Sequence, residues 1–265
     1  MNFLNKMFMA NFKILRSKLE PVLTKNAWVL LMNSYAKKGV KFRYKNGDYF
    51  VTENGMIRHF IKSRGRHYAN GLVERTLDLI DSYNIHKIQF HQGDLIVDIG
   101  ANMGDLIHYF PNQRYIGFEP SPKEFRALEK NKRSNCAIYQ LCIGKENRKI
   151  TFYVSSAGAD SSIFKPLKIE RTIQVKLRRL DEILYEPIKL LKIDAEGAEF
   201  EVIQGSKELM RHIEFIAIDL GFEKGVKMES TAPQVFALLN KFNFKLIEIA
   251  KNERFLFENQ IKLTL

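Results

Sequence analysis

Short apolar runs and helix-spaced apolar residues alternate along residues 71–265 of this chain. The apolar runs predict strands over residues 95–99, 115–119, 137–143, 189–194, 214–220, 243–249 and 253–257. Helical spacing predicts intervening helices over residues 72–84, 104–110, 122–132, 199–209 and 232–241. Strands that alternate with helices build a parallel sheet covered on both faces, and the last two strands predict an antiparallel closing hairpin. The pattern therefore indicates an α/β fold.

The first 70 residues follow a different pattern. Residues 3–19 space their apolar side chains as an amphipathic helix does, with lysines and arginines interleaved, and residues 26–35 predict a second helix. Residues 40–62 alternate as in a short β-ribbon, with a turn at Asn46-Gly47 and another at Asn54-Gly55. We therefore predict a small α+β extension over residues 1–70, followed by the α/β domain over residues 71–265.

Positive charge is concentrated in this extension. The chain has 42 Lys and Arg against 30 Asp and Glu, a net charge of +12. Residues 1–70 hold 14 of the basic residues and 3 of the acidic ones, and the remainder is nearly neutral. A basic amphipathic helix suits an anionic membrane surface, so peripheral membrane contact through residues 1–20 is one prediction. Packing on the α/β domain or on a second subunit of a homo-oligomer is the alternative.

Cysteine use and hydropathy limit where the protein acts. Cys136 and Cys142 have no partners at metal-ligand spacing, so neither zinc nor a disulfide scaffold is expected. The first ten residues are interrupted by Asn and Lys, unlike a secretory signal. No apolar run approaches the length of about 20 residues that a spanning helix needs. We expect a cytoplasmic protein, soluble or peripheral at the inner face of the membrane.

The candidate chemistry begins at the end of the first strand of the α/β domain. After the apolar residues 95–97, the chain reads D-I-G-A-N-M-G at 98–104, which predicts a tight glycine turn. Gly100 and Gly104 would let a ligand or the following helix approach the backbone. The next strand ends at Glu119, and a carboxylate at that strand tip can accept hydrogen bonds from both hydroxyls of a ribose. This layout predicts a nucleoside cofactor.

The glycine spacing separates two classes of such cofactors. Dinucleotide sites use G-x-G-x-x-G, because the pyrophosphate lies at a helix N-terminus. Here only Gly100 and Gly104 are present, and Asp98 would repel a pyrophosphate. An acidic residue beside the turn suits the ammonium of a methionine-type cofactor, with Asn102 close to the same end. We therefore favour a methionine-derived cofactor over NAD.

Further segments make the chain resemble the FkbM family of S-adenosylmethionine-dependent methyltransferases. The matching segments are V-D-I-G-A-N-M-G at 97–104, F-E-P-S-P at 118–122, L-D-E-I at 180–183 and L-K-I-D-A-E-G-A-E at 191–199. The resemblance covers roughly residues 70–257. It implies a class I methyltransferase (Rossmann-like) fold, with a seven-stranded, mostly parallel sheet and an antiparallel last strand. It also implies S-adenosyl-L-methionine as cofactor and methylation of a hydroxyl on a sugar or related small molecule.

The resemblance and the strand positions together give the candidate site residues. The expected catalytic base is Asp194 or Glu196, because a strand-end carboxylate faces the crevice where open α/β sheets bind ligands. The expected cofactor-binding residues are Asp98, Gly100, Asn102, Gly104, Glu119, Pro120, Ser121, Cys142, Ser161 and Asp194. Cys142 falls in an apolar stretch suited to adenine, whereas Ser161 matches a serine-containing loop of the family. Glu199 is expected to stabilise its helix rather than to act in the chemistry.

A divalent cation is an alternative in this loop. Asp194 and Asp219, at neighbouring strand ends, offer the oxygen ligands that such a cation prefers. We favour a metal-free site, with Asp219 capping its own strand.

The predicted function is O-methylation of a sugar, in a surface glycan or in its nucleotide- or lipid-linked precursor. An anionic or lipid-linked acceptor would fit the basic extension. The alternative is methylation of RNA or another nucleic acid, which the same positive charge suits. The signature for amino methylation of bases is missing, however, so we do not expect a nucleic-acid partner. A nucleoside-binding protein without activity is a third interpretation, disfavoured by the intact acidic residues.

Overall fold

The computed structural model describes residues 22–155, 161–250 and 252–261. The predicted helix over residues 3–19, and the membrane contact expected of it, lie outside these described ranges. The chain divides into two compact units, Met1–Leu72 and Val73–Leu265. No helix in the described ranges is long and apolar enough to cross a membrane.

The described part of the first unit combines one helix with an antiparallel ribbon. Its elements are α1 Lys25–Tyr35, β1 Lys41–Lys45, β2 Asp48–Glu53 and β3 Met56–Phe60. Asn46 and Asn54 both have positive φ and precede glycines, which is the backbone that tight hairpin turns require. Trp28 of α1 packs against Phe42 and Phe60 of the ribbon, with ring centroids 6.0 and 5.9 Å away. Aromatic burial therefore joins the helix to the ribbon.

The first unit also contains a 3₁₀ turn at Lys62–Tyr68. The other strands and α-helices of the described chain belong to the second unit, whose first helix begins at the boundary residue Leu72. Its strands are β4 Leu95–Ile99, β5 Arg114–Phe118, β6 Cys136–Tyr139, β7 Cys142–Ile143, β8 Arg148–Val154, β9 Arg171–Arg178, β10 Ile188–Ile193, β11 Ile213–Asp219, β12 Phe222–Lys224, β13 Glu229–Ser230, β14 Phe244–Ile249 and β15 Arg254–Asn259. Its α-helices are α2 Leu72–Ser82, α3 Pro122–Asn131, α4 Glu199–Gln204 and α5 Ala232–Lys241.

Seven of these strands form one sheet in the order β14-β15-β11-β10-β4-β5-β6. The pairs from β11 to β6 are parallel, whereas β15 lies antiparallel between β14 and β11. All five residues of β4 are buried, as expected of a central parallel strand covered on both faces. The prediction of a mostly parallel seven-stranded sheet with an antiparallel last strand is confirmed.

Three predicted elements differ in the structure. The helix expected over 104–110 is a short 3₁₀ turn, Asp105–Tyr109, and Pro111 lacks the N–H that a longer helix would use. The helix expected over 199–209 ends at Gln204, where a Cβ at Gly205 would lie 1.9 Å from the Gly144 oxygen. A second 3₁₀ turn then covers Lys207–His212.

The third difference concerns the strand expected over 137–143. Its first part is β6 at the edge of the large sheet, but β7 leaves that sheet and pairs with β9. Strand β9 also pairs antiparallel with β8, so β7, β8 and β9 form a separate three-stranded sheet. We call the segment between β6 and β10, which contains this sheet, the insertion. The prediction of extended backbone is correct for this run, but periodicity does not identify the pairing partner.

Candidate active site

The carboxyl ends of β4 and β10 lie side by side near the middle of the large sheet. These strands are parallel neighbours, while β5 and β6 extend the sheet in one direction and β11 extends it in the other. The order of strands along the chain therefore reverses between β4 and β10. Open α/β sheets bind ligands in the crevice at such a switch point.

The predicted glycine turn connects β4 to this crevice. Gly100 has a φ of +75°, and a Cβ there would lie 1.9 Å from the backbone oxygen of Asp194. Gly104 has a φ of +82°, and its Cβ would lie 2.7 Å from Leu128 of α3. Between them, Asn102 also has positive φ, and its buried side-chain oxygen has no hydrogen-bond partner among the described residues. The two glycines thus let the turn pack closely against Asp194 and Leu128. The side-chain oxygen of Asn102 provides a hydrogen-bond acceptor at the turn.

Glu119 follows β5 and is held against the same turn. The backbone N–H of Asn102 donates to its Oε2 at 2.9 Å, and the N–H of Ser121 donates to its Oε1 at 2.8 Å. Burial, together with the charge of Glu124, raises the pKa of Glu119 to about 8, although both N–H groups oppose the shift. Glu119 is therefore largely protonated near neutral pH, and its carboxyl group can both donate to and accept from hydroxyls.

Asp98 lies directly opposite Lys192 in the pairing of β4 with β10. The Lys192 ammonium is 3.0 Å from Asp98 Oδ1 and donates to the Gly100 oxygen at 3.0 Å. The hydroxyl of Tyr115 donates to Asp98 Oδ2 at 2.5 Å. Burial opposes the Lys192 charge, but the carboxylates of Asp98 and Asp194 outweigh it and raise its pKa. Lys192 is thus a fixed cation beneath the turn, which excludes it as a base.

Asp194 follows β10 and reaches into the crevice with 26% of its side chain exposed. Its Oδ2 accepts a hydrogen bond of 2.8 Å from Tyr83 and lies 3.6 Å from the Lys192 ammonium. The Tyr83 ring is buried, with the Arg254 guanidinium 4.5 Å from its centroid. Burial, followed by the Asp194 charge, raises the pKa of Tyr83 well above its usual range. Tyr83 therefore remains a neutral donor that orients Asp194.

Asp219, the other residue considered for a metal, is already engaged. Arg254 donates to its Oδ2 at 2.7 Å, and the N–H of Gly221 donates to its Oδ1 at 3.1 Å. Burial raises the pKa of Asp219 and the nearby Asp194 charge adds to this, while Arg254 opposes it. These contacts match the expectation that Asp219 caps the end of its strand.

Glu199 organises the loop after β10. Its Oε1 accepts from the N–H groups of Ala195 and Gly197 at 3.1 and 2.9 Å, and Thr231 donates to its Oε2 at 2.9 Å. Burial raises the pKa of Glu199 to about 7, although these hydrogen bonds counteract it. Glu196 lies within this loop at a φ of +51°. Glu199 thus holds the backbone that carries Glu196, in keeping with a structural role.

The structure brings both predicted catalytic carboxylates together with a third. Carboxylate oxygens of Asp194, Glu196 and Glu223 all lie within 4.8 Å of one another. Glu223 belongs to the β12–β13 hairpin, which contacts the loop closely, since a Cβ at Gly197 would lie 2.7 Å from Lys224 Cα. The acidic centre of the crevice is therefore built from two separate segments.

Pro120 and Ser121 continue the chain from Glu119 into α3. The Ser121 hydroxyl is hydrogen-bonded to Glu124 in the first turn of that helix. This arrangement fixes the backbone N–H that Ser121 donates to Glu119. Ser121 thereby holds the Glu119 carboxyl group through its backbone N–H, and a contact of Pro120 or Ser121 with the cofactor stays a prediction.

The two remaining predicted residues lie in the insertion. Cys142 is buried in β7, and burial, together with the nearby Glu119, raises its pKa to about 12. Its thiol is therefore an apolar contact near Glu119. The Ser161 hydroxyl accepts from the N–H of Ser155 at 3.0 Å, which places Ser161 beside the end of β8. A contact of Ser161 with the cofactor stays a prediction.

Sequence reasoning missed four residues that shape the crevice: Tyr83, Lys192, Glu223 and Arg254. Lys192 lies inside the L-K-I-D-A-E-G-A-E segment, and strand pairing with Asp98 would have indicated its role. Tyr83 follows α2, 111 positions from its partner Asp194, and no local pattern marks it. The strand order and the carboxyl groups at the tips of β4, β5 and β10 are those of the class I methyltransferase fold.

Comparison with known proteins agrees with this class. The profile of the methyltransferase FkbM domain matches residues 98–246, more than half of the chain. The chain belongs to this family of S-adenosylmethionine-dependent O-methyltransferases, and the resemblance of its motifs is confirmed.

The individual relatives named below are each less than 30% identical to this chain. The 2-O-methyltransferase NoeI of Sinorhizobium fredii is 28% identical over 182 residues, covering 59% of this chain and 75% of the relative. The 31-O-demethyl-FK506 methyltransferase FkbM of Streptomyces tacrolimicus is 25% identical over 167 residues, covering 48% and 64%. A crystal structure of methyltransferase FkbM from Methylobacillus flagellatus is similar with a TM-score of 0.48 at 15% identity. The match covers 74% of this chain and about half, 53%, of that one.

Proposed function

We propose that the protein transfers a methyl group from S-adenosylmethionine to a sugar hydroxyl, in a surface glycan or in its nucleotide- or lipid-linked precursor. The observation that carries this proposal is the Asp194 carboxylate, held at the switch point by Tyr83 and partly exposed to the crevice. The name of the Sinorhizobium fredii relative, a 2-O-methyltransferase, supports oxygen as the acceptor atom.

The residues around the glycine turn fit this cofactor. When bound, S-adenosylmethionine supplies a methyl group on a positively charged sulfur. The Glu119 carboxyl group would hold the ribose hydroxyls, and the unpaired Asn102 oxygen would accept an N–H of the cofactor. Asp98 and Asp194 carry negative charge toward the same turn, and Lys192 balances part of it. A cationic ligand suits this donor set better than a pyrophosphate.

The acceptor hydroxyl must lose a proton as its oxygen attacks the methyl group in line. Asp194 would receive this proton, because its carboxylate is oriented and reaches the crevice. Lys192 stays protonated and stabilises the negative charge of Asp194. Glu196, within 4.8 Å of the same carboxylate, would orient the acceptor by accepting from a neighbouring hydroxyl.

The test of the proposed function is methyl transfer to separate pools of acceptor. The full-length protein is incubated with methyl-tritiated S-adenosylmethionine and extracted surface glycans, lipid-linked precursors or RNA in parallel. We expect label in a glycan or precursor pool, lost in Asp194→Asn and reduced in Glu196→Gln. The exposed Glu208→Gln serves as the charge-matched control. Turnover near the wild-type rate in both crevice variants would exclude the roles proposed for Asp194 and Glu196.

A second test addresses the cofactor site. Glu119→Ala is expected to weaken binding of S-adenosylhomocysteine, measured by calorimetry, because the ribose hydroxyls lose their partner. Unchanged affinity would contradict the role given to Glu119.

RNA or another nucleic acid is the second candidate acceptor. Residues 22–72 contain ten Lys and Arg against two Asp and Glu, which favours a polyanionic partner. Label in the RNA pool, with binding that weakens steeply as salt rises, would favour this candidate.

We propose a cytoplasmic site of action, with residues 1–20 contacting anionic lipid at the inner face of the membrane. A second copy of the chain is the competing partner for this segment. Deletion of residues 1–20 is expected to reduce sedimentation with anionic vesicles, whereas equal binding would reject the membrane contact.

A further inference from the structure

The insertion between β6 and β10 holds the positive charge of the second unit. Residues 145–179 contain nine Lys and Arg against three Asp and Glu, whereas residues 71–265 as a whole are nearly neutral. Much of this charge lies on the antiparallel pair β8–β9. The rest of the unit therefore carries a net negative charge, opposite in sign to that of the insertion.

One face of the β8–β9 pair packs inward and the other is open to solvent. Ile150, Phe152 and Val154 alternate along β8 and pack with Val175 and Leu177 in a small hydrophobic cluster. Successive strand residues point to opposite faces, so the residues between them share the outer face. We name this outer face the basic face; it comprises Lys149, Thr151, Tyr153, Thr172, Gln174, Lys176 and Arg178.

Two lysines of the basic face lie directly opposite each other. Lys149 and Lys176 are Cα partners in the β8–β9 register, and both side chains are exposed. Like charges in this position repel each other and destabilise the strand pair. Neither lysine, nor the neighbouring Arg178, has an ion-pair partner within the described ranges. A bound anion would relieve this repulsion.

The other half of the basic face carries groups of a different kind. Gln174 donates to the Thr151 hydroxyl at 3.0 Å, and Tyr153 lies two residues beyond Thr151 on the same face. Amide, hydroxyl and phenol groups suit the many hydroxyls of a sugar chain. From Lys149 to Tyr153 the strand spans about 14 Å. The face therefore matches an extended ligand rather than a single ion.

Contacts connect the Tyr153 end of the basic face to the acidic centre of the crevice. Tyr153 pairs with Ser162 in an isolated bridge, and the ring of Phe164, two residues later, lies 4.5 Å from the Lys224 ammonium. Lys224 adjoins Glu223, one of the three clustered carboxylates. The Tyr153 end of the basic face is thus connected to the acidic centre through Ser162, Phe164 and Lys224, and the lysine pair lies at the opposite end.

We propose that the basic face binds an anionic stretch of the acceptor, a glycan chain that bears carboxylate or phosphate groups. The inference rests on the proposed function, since it extends the acceptor beyond the hydroxyl that is methylated. The chain would run along Tyr153, Thr151 and Gln174, and its anionic group would lie between Lys149 and Lys176. Tyr153 is the single aromatic side chain on this face, whereas single-stranded RNA is held by aromatic residues that stack successive bases. The observations therefore favour a glycan over RNA.

The test is binding of defined oligosaccharides to the full-length protein without cofactor. The probes are a labelled hyaluronan hexasaccharide and a neutral chitin hexasaccharide of the same length, compared by fluorescence anisotropy. We expect hyaluronan to bind about tenfold more tightly than chitin, because only hyaluronan carries carboxylates. The double variant Lys149→Gln/Lys176→Gln is expected to lose this preference.

The matched control is Lys165→Gln/Lys168→Gln, which removes two exposed charges from the same insertion but not from the basic face. This control is expected to bind hyaluronan as the wild type does. The melting temperature of Lys149→Gln/Lys176→Gln should equal or exceed that of the wild type, because the repulsion is gone. Unchanged affinity for S-adenosylhomocysteine verifies that the crevice is intact, so loss of oligosaccharide binding is separated from failure of the proposed methylation.

Three results would overturn the proposal. Equal hyaluronan binding by both double variants would show that the lysine pair is only solvated surface. Equal binding of hyaluronan and chitin by the wild type would contradict the proposal that the acceptor is anionic. Tighter binding of a uridine hexanucleotide, with the same dependence on Lys149 and Lys176, would assign the face to RNA instead.

Discussion

The Tyr83 hydroxyl donates a hydrogen bond of 2.8 Å to Oδ2 of Asp194, although the two residues are 111 positions apart in the chain. Tyr83 is buried, and its ring lies against the guanidinium of Arg254. The orientation of the expected catalytic base is therefore fixed by a residue outside every motif of the sequence. This relationship makes the position of Asp194 testable separately from its charge.

Tyr83→Phe is expected to lower kcat about tenfold, because a hydrogen bond to a charged group contributes roughly 1.5–3 kcal/mol. The binding of S-adenosylhomocysteine should be unchanged. The acidic limb of the pH–rate profile should move to higher pH, since the Asp194 carboxylate loses a bond that favours its charged form. Steady-state kinetics across pH, with tritiated cofactor, measures both effects.

The control for this variant is Tyr185→Phe, since Tyr185 is 78% exposed and donates only to the backbone oxygen of Glu182. Its kinetics should match the wild type. Equal effects of the two substitutions on kcat would refute a positioning role for Tyr83.

Gly100→Ala is expected to lower the free energy of unfolding by more than the strain of an alanine at positive φ alone would. The added Cβ would meet the Asp194 backbone oxygen at 1.9 Å, and φ is already +75°. Gly93 has a similar φ of +87°, but a Cβ added there would meet no atom within 4 Å, so Gly93→Ala measures the conformational strain alone. We expect Gly100→Ala to cost about 2 kcal/mol more than Gly93→Ala in urea unfolding. Similar costs would indicate that β4 and β10 separate easily at the turn.

Stability is expected to fall as pH rises from about 4.5 to about 8 because of Glu119. Its pKa is near 4.5 in the unfolded chain and about 8 in the folded one, so the folded state holds the extra proton in this range. The stabilisation is complete below the lower value and is lost through the upper one. Each pKa unit of difference corresponds to about 1.4 kcal/mol.

Glu119→Gln should flatten this decline in the free energy of unfolding, measured by urea titration at several pH values. A residual slope is expected from Glu199, whose pKa is raised to about 7. Glu129→Gln, at an exposed position of the nearby helix α3, should leave the slope unchanged. An identical slope in the wild type and Glu119→Gln would mean that Glu119 is ionised throughout this range.

Removal of metal ions is expected to leave methyl transfer intact. Lys192 already supplies a positive charge 3.6 Å from Asp194 Oδ2, and Arg254 occupies Asp219. The assay is tritium transfer before and after dialysis against EDTA. Activity that disappears with EDTA and returns with Mg²⁺ would instead identify Asp194, Glu196 and Glu223 as ligands of a catalytic cation.

Most strands of the large sheet could be predicted because their apolar runs are long and bounded by turns. Strand β4 is entirely buried, and its short run of Leu, Ile and Val, with Gly93 before it and Gly100 after it, favours a buried strand. The short segments were harder to predict. Strand β7 has two residues and joins a different sheet, because its partners in β9 come 35 positions later, Leu177 opposite Cys142 and Arg178 opposite Ile143. Local pattern carries no information about such a partner.

The sequence by itself determined the order of the elements, the glycine turn at 98–104 and the carboxyl groups at the strand tips. These follow from side-chain periodicity and backbone preference, which act between near neighbours. Only the tertiary structure decided how the charges pair: Lys192 with Asp98, Arg254 with Asp219, and Tyr83 with Asp194. Pairing depends on strand register and on contacts across 35 to 111 positions, and burial makes each unpaired charge costly. The local sequence therefore predicts which polar groups line the crevice, whereas the pairing of strands across the whole sheet determines how those groups are arranged.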